Sequence, residues 1–194
     1  MRHGPIAPPY DQGFAPLDAL ADLSDLAAME RIARRLPVKV VWIESPAERT
    51  SMTAAALRRL RGEADTTATV ESAFVEQDFG DWHGRRYDAV YGVLSPDELR
   101  VPALVRPPGG ETFEEVASRV APAIEALNAA HKGVDFVAVA HAGTIRAALT
   151  LAMDLAPRQA ISFVIDILSV TRLDRHQDPA EPPQWSVVSV NNEA

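Results

Sequence analysis

Short apolar runs alternate with helix-patterned stretches along most of this chain, and that alternation constrains the fold more than any other feature. "VKVVWI" (38–43) is followed by "SPAERTSMTAAALRRLRG" (45–62), and "DFVAVA" (135–140) by "GTIRAALTLAMDL" (143–155). Four or five apolar residues in a row suit a strand buried on both faces. The stretch behind each run has the 3.6-residue spacing of a helix laid back over it. Strand-helix alternation of this kind predicts an α/β three-layer sandwich, a mainly parallel central sheet with helices on both faces. All 194 residues fit one domain, long enough to bury a sizeable core.

The remaining segments fill in this frame. "DLSDLAAMERIARRLP" (22–37) predicts a helix capped by Ser24 or Asp22 and closed by Pro37. "TATVESAF" (67–74) predicts another strand. Thr112 and Glu115 stand at capping-box spacing ahead of a long amphipathic helix that stops at Gly133, with Pro122 inside it as a kink or restart. "SFVIDILSVTRLD" (162–174) and "QWSVVSV" (184–190) predict two closing strands, with the Pro-rich loop "RHQDPAEPP" between them. Residues 5–20, rich in Pro, Gly and Ala without a period, predict loop.

Charge and composition remove several functions. A net charge of −8 argues against general nucleic-acid binding, which needs a basic face. No apolar run approaches 18 residues and the start lacks the pattern of a signal peptide, so a cytoplasmic protein without a membrane span is expected. There is no cysteine, hence no disulfide framework and no thiolate metal site.

Polar residues collect where strands end, the usual place for ligands in such sheets. Arg49 follows "VKVVWI" on the turn into a helix, Glu76 follows "TATVESAF", and His141 follows "DFVAVA". His141 is joined by Ala142, whose backbone N–H opens a helix and is available to an anion. At the start, Arg2 brings a planar fork of donors and His3 a group that titrates near neutral pH, followed by the permissive Gly4. Taken singly, each has a plainer reading as a cap or a surface charge; their equivalent topological positions are what favour a site. A metal cluster of His3, His83 and His141 is disfavoured, since no carboxylate stands at ligand spacing to complete it.

Taken in order, "RHG", "SPAERTSMTA", "EQDFGDWHG", "GGETF" and "AHAGTIR" resemble the histidine phosphatase superfamily, the phosphoglycerate-mutase-like fold, over nearly the whole chain. Within it the "E-x-x-F-G-x-W-x-G" stretch is similar to small bacterial phosphatases of the alpha-ribazole phosphatase type. The resemblance implies a phosphomonoesterase acting on a small soluble phosphate ester. It casts His3 as nucleophile, Arg2 and Arg49 as phosphate clamps, His141 as a further phosphate contact in its imidazolium form, Ala142 N–H as a donor and Glu76 as general acid. No metal or cofactor is implied. A phosphoglycerate mutase is the alternative enzyme, disfavoured because such enzymes carry insertions around the site; a non-catalytic relative that binds a phospho-ligand is the other.

Three departures from the family pattern carry expectations. Family members have an apolar strand before Arg-His-Gly, whereas only Met1 precedes it here, so a truncated first strand is expected, with unpaired ladder groups and a poorly held nucleophile. "PIAPPY" replaces the usual acid, Thr or Ser and Asn, which implies one lost phosphate contact. His83 stands where Glu is common, as a prop of its loop. Phe79, Trp82 and Tyr87 either line a substrate cap or anchor that loop, and Glu111 in "GGET" is expected to close the loop ahead of the helix.

Overall fold

In a computed structural model, which describes residues 1–176 and 184–192, the chain forms seven α-helices and five strands among the described residues. Three strands make a parallel sheet: β1 (Val40–Glu44) lies between β2 (Ala68–Val70) and β3 (Asp135–Val139). Along β1, Trp42 and Ile43 point to opposite faces, as neighbours on a strand must. Trp42 packs with Met29 and Ile32 of α1 (Leu26–Arg35) and Leu57 of α2 (Glu48–Leu60). Ile43 packs with Phe113, Val116 and Val120 of α5 (Phe113–Ala130) and Ala147 of α6 (Ala142–Met153). The three layers follow from that one alternation. Two short helices, α3 (Tyr87–Tyr91) and α4 (Pro96–Arg100), sit in the long connection between β2 and α5, and α7 (Pro157–Ala160) follows α6.

Caps explain most boundaries. Asp25, rather than Ser24 or Asp22, caps α1: its side chain accepts from the amide of Ala28 at 2.9 Å, while Asp22 takes the amide of Ser24. Thr112 and Glu115 form the full capping box of α5, which runs through Pro122 without a break. β2 is shorter than "TATVESAF" predicts, because the Glu71 side chain takes the amide of Ala73 and starts a turn of 3₁₀-helix (Ser72–Phe74). The closing pair, β4 (Val170–His176) and β5 (Gln184–Asn192), is an antiparallel ladder. Residues 162–169, expected as strand, form a loop instead: their carbonyls serve arginine side chains, and Leu168 sits at φ +58°. Most of the Pro-rich segment before β5 lies outside the described residues.

The expected short first strand is visible as Met1–His3. Arg2 bridges Ala140 in parallel, with Ala140 N–H to Met1 O and His3 N–H to Ala140 O both at 3.0 Å. On its other side Arg2 N–H reaches Ser169 O at 3.1 Å. These three residues therefore stand between β3 and the start of β4. Behind Met1 the two strands enclose a groove of about 830 Å³, lined by Phe136, Ala138, Val170 and Leu173 among others. The expected looseness of the nucleophile is not found. His3 is bonded through its amide, its carbonyl (from Leu168 N–H) and its ring, and Gly4 N–H is tied to Thr53 Oγ1 at 3.0 Å.

Candidate active site

Two buried imidazoles form the centre of the site. His3 and His141 lie edge to face with ring centroids 5.1 Å apart, and Arg49 joins them: Nε is 3.4 Å from His3 Nε2 and Nη2 is 3.4 Å from His141 Nδ1. Arg49 itself is buried, anchored by Nη1 to Pro16 O at 2.8 Å. Its position on the first turn of α2 comes from the tight turn after β1, which Thr50 closes by donating to Ser45 O.

The ring of His3 is set by its neighbour. Nδ1 lies 2.6 Å from Gly4 O, a carbonyl that can only accept, so the proton sits on Nδ1 and the lone pair on Nε2. Burial first, then the charge of Arg49, pulls the His3 pKa down to about 3, so the ring is neutral across the physiological range. A Cβ at Gly4 would stand 2.6 Å from Leu23 Cδ2, so a larger residue there would have to push that side chain aside.

His141 is held by a residue the sequence reading passed over. Ser45 Oγ lies 2.8 Å from His141 Nε2 and also accepts the amide of Ala47. With Arg49 donating toward Nδ1, the arrangement fits a neutral ring protonated on Nε2. Burial, then the neighbouring His3, Arg49 and Arg2, holds the His141 pKa well below its ordinary value. The imidazolium expected from sequence is thus not the form the free site favours; a bound anion supplies the charge that would recruit it. Ser45 stands one residue beyond β1, at the head of "SPAERTSMTAAALRRLRG", and this strand-end position is the signal that could have marked it.

Glu76 stands at the rim, with Oε2 4.0 Å from His141 Nδ1. Gly143 permits this approach, because a Cβ there would lie 2.5 Å from Glu76 Oε1. A brace fixes the segment that carries it: Arg119 donates to Ala73 O, Glu76 O and Glu111, while Glu111 accepts the amide of Asp78 at 3.0 Å. Glu111 therefore closes the loop as the sequence suggested. Thr144 adds a bond to Phe74 O at 2.9 Å.

Arg2 anchors Nη1 on Ile165 O at 2.6 Å, and its Nε is buried without a hydrogen-bond partner. Its charge acts on both imidazoles. Ala142 is the first residue of α6, whose N-cap His141 makes no side-chain cap, so first-turn amides are free to meet a negative group. The structure thus brings Arg2, His3, Arg49, Glu76, His141 and Ala142 to one edge of the sheet. It leaves His83 out: its Nε2 lies 3.2 Å from both the Phe79 amide and Asp78 Oδ1, accepting from the first or donating to the second according to its protonation, within its own loop. Phe79, Trp82 and Tyr87 gather around buried Phe14 at centroid distances of 4.6, 5.4 and 4.8 Å, which makes them anchors of the loop.

No described helix is long and apolar enough to cross a membrane. Comparison with known proteins gives a consistent picture. The chain is 28% identical over 157 residues to the Bifunctional protein Rv2228c of Mycobacterium tuberculosis, covering 79% of this chain and 42% of that one. Among solved structures, mycobacterial hydrolase 1 superposes with a TM-score of 0.82 at 25% identity, over 100% of this chain and 97% of the other. Mycobacterial glucosyl-3-phosphoglycerate phosphatase Rv2419c shares the fold with a TM-score of 0.81 at 23% identity, over 99% and 96%. Residues 1–192 match the histidine phosphatase superfamily (branch 1), and the chain belongs to that family.

Proposed function

We propose that this protein is a phosphatase that hydrolyses a small soluble phosphate monoester through a phosphohistidine on His3. The observation that carries the reading is the tautomer of His3: Nδ1–H is committed to Gly4 O, and the unprotonated Nε2 is the ring atom nearest Arg49. A neutral, buried imidazole with its lone pair toward a cluster of cationic donors is built to attack an anion at phosphorus.

In the first step the Nε2 lone pair forms an N–P bond as the ester P–O bond breaks. The departing oxygen takes a proton from the carboxyl group of Glu76. Arg2, Arg49, the Ala142 N–H and His141 meet the charge spread over the three equatorial oxygens, the main device available for phosphoryl transfer. His141 accepts a proton on Nδ1 as the anion binds and then donates there, while Ser45 holds Nε2. The Gly4 carbonyl offsets the positive charge that the phosphorylated ring acquires. In the second step water attacks phosphorus, its proton passes to Glu76, and the N–P bond breaks to return neutral His3. The chain's own residues serve each step, so this scheme calls for no metal or cofactor.

Support for a phosphatase also comes from the family and from the phosphatase among its structural neighbours. The test is phosphate release from nitrophenyl phosphate, with 3-phosphoglycerate and a bisphosphate primer in a parallel assay. Release of inorganic phosphate without mutase turnover is the expected result. Phosphate binding with no release would instead favour a non-catalytic binder.

A further inference from the structure

Arg2 is aimed by something that lies outside the pocket. Its Nη1 rests on Ile165 O, in a loop with no regular secondary structure. Such a loop fixes a guanidinium only if it is itself fixed, and two ties do this. On one side Arg146 of α6 donates Nε to Phe163 O at 2.9 Å. On the other, Asn191 of β5 grips Asp166 at two points: its Oδ1 accepts the Asp166 amide, and its Nδ2 donates to Asp166 Oδ2 at 2.6 Å. Both ends of one side-chain amide are thereby used on one residue. Asn191 sits at φ +53°, a left-handed conformation that asparagine tolerates better than most residues, and its own amide donates to Thr171 Oγ1. Asp166 also accepts the Ser169 amide at 3.1 Å, which locks the turn into β4.

We propose that Asn191 and Asp166 are positioning residues of the active site: their clamp fixes the Ile165 carbonyl and so points Arg2 at the phosphoryl oxygens. The inference rests on the phosphatase reading above. Its weight comes from geometry, since displacing a positioned group by about 1 Å can cost on the order of a hundredfold in rate. The clamp makes no side-chain contact with His3, Arg49 or His141; apart from Arg2 it reaches the site through the Asp166–Ser169 turn, whose Leu168 N–H holds the His3 carbonyl.

Four variants test this by kcat/KM for nitrophenyl phosphate, the inhibition constant of inorganic phosphate, and Tm. Asn191→Asp sets a second carboxylate against Asp166 and is expected to weaken phosphate binding and kcat/KM by ~10- to 100-fold. Asp166→Asn keeps an acceptor oxygen and costs little. The double variant D166N/N191D reverses donor and acceptor and restores activity to within a few fold. Asn191→Gly keeps the left-handed backbone without the side chain, and its loss should match that of Asn191→Asp. The decisive arm adds Arg2→Ala: in that background Asn191→Asp is expected to lose most of its effect on phosphate inhibition and kcat/KM. Equal losses with and without Arg2, or an Asn191→Asp protein that matches wild type, overturn the clamp. A wild type that neither binds phosphate nor turns over the ester overturns the phosphatase reading, and the clamp with it.

Discussion

The two sides of the pocket are supported differently. Arg49 and His141 stand at the starts of the helices that follow β1 and β3, in a parallel ladder with helices packed on both faces, and Glu76 lies beyond the 3₁₀ turn that follows β2. Arg2 and His3 hang from a single bridge to Ala140, with the β4–β5 ladder and the 162–169 loop beyond them. The first side obtains most of its order from regular structure, with the Arg119 brace added where Glu76 lies. The second obtains it from individual bonds: Arg2 to Ile165 O, His3 to Gly4 O, and Asn191 to Asp166. A site of this kind is ordered throughout, yet its two halves should differ in how easily they open, because local stability follows packing and ladder pairing.

The largest effect is expected on the well-packed side. Glu76→Gln should lower kcat/KM for an alkyl phosphate by ~10²–10⁴-fold, the usual worth of general acid assistance, and far less for nitrophenyl phosphate, which leaves readily as an anion. Equal losses for the two esters would make Glu76 an electrostatic or structural residue instead. Arg49→Ala should cost ~10²–10³-fold for both esters alike, because its charge serves the phosphoryl group they share. A loss confined to one ester contradicts that role.

The groove behind Met1 allows the weaker side to be strengthened. Val139 O pairs toward β1 through Ser45 N–H, so by alternation Phe136 and the Ala138 amide turn toward the groove. Five apolar residues appended ahead of Met1 are expected to lie along this edge. At about 1 kcal/mol per recovered bond and ~2–4 °C per kcal/mol, Tm should rise by several degrees. Amide exchange at Phe136 and Ala138 should slow, and a Gly-Ser segment of equal length should do neither. No gain from the apolar segment would mean that the seam is already as stable as the ladder.

A smaller effect should appear with pH. The Met1 amino group is lowered by burial from 8.0 to about 5, and His3 from 6.5 to about 3. Both are bases that the folded state keeps neutral, so the unfolded chain binds more protons and stability rises with pH. It should be complete above pH 8 and decline as pH falls toward 3, on the order of 1 kcal/mol per pH unit for each group within its own window. Thermal melts from pH 8 to 4 measure this. His3→Gln should flatten the acid limb.

Much of this was legible in the sequence wherever a local pattern had one physical solution. The runs that became β1 and β3 and the helices behind them followed from periodicity, and strand-end placement drew Arg49, Glu76 and His141 together. Two things were not legible. Residues 162–169 are apolar and β-branched like a strand, but tertiary demands on their carbonyls by Arg2 and Arg146 override the composition. The roles of Ser45 and Gly143 were not legible beyond the strand-end position of Ser45, since a serine that orients a ring and a glycine that admits a carboxylate are defined by what lies across the fold.

The most direct measurement is chemical trapping of the phosphoenzyme. Wild-type protein quenched during turnover of a labelled phosphate ester should carry an acid-labile, base-stable phosphoryl group on His3. His3→Ala should carry none and release no phosphate, while His141→Ala should turn over slowly yet still be trapped. A label on another residue, or undiminished turnover in His3→Ala, would contradict the account.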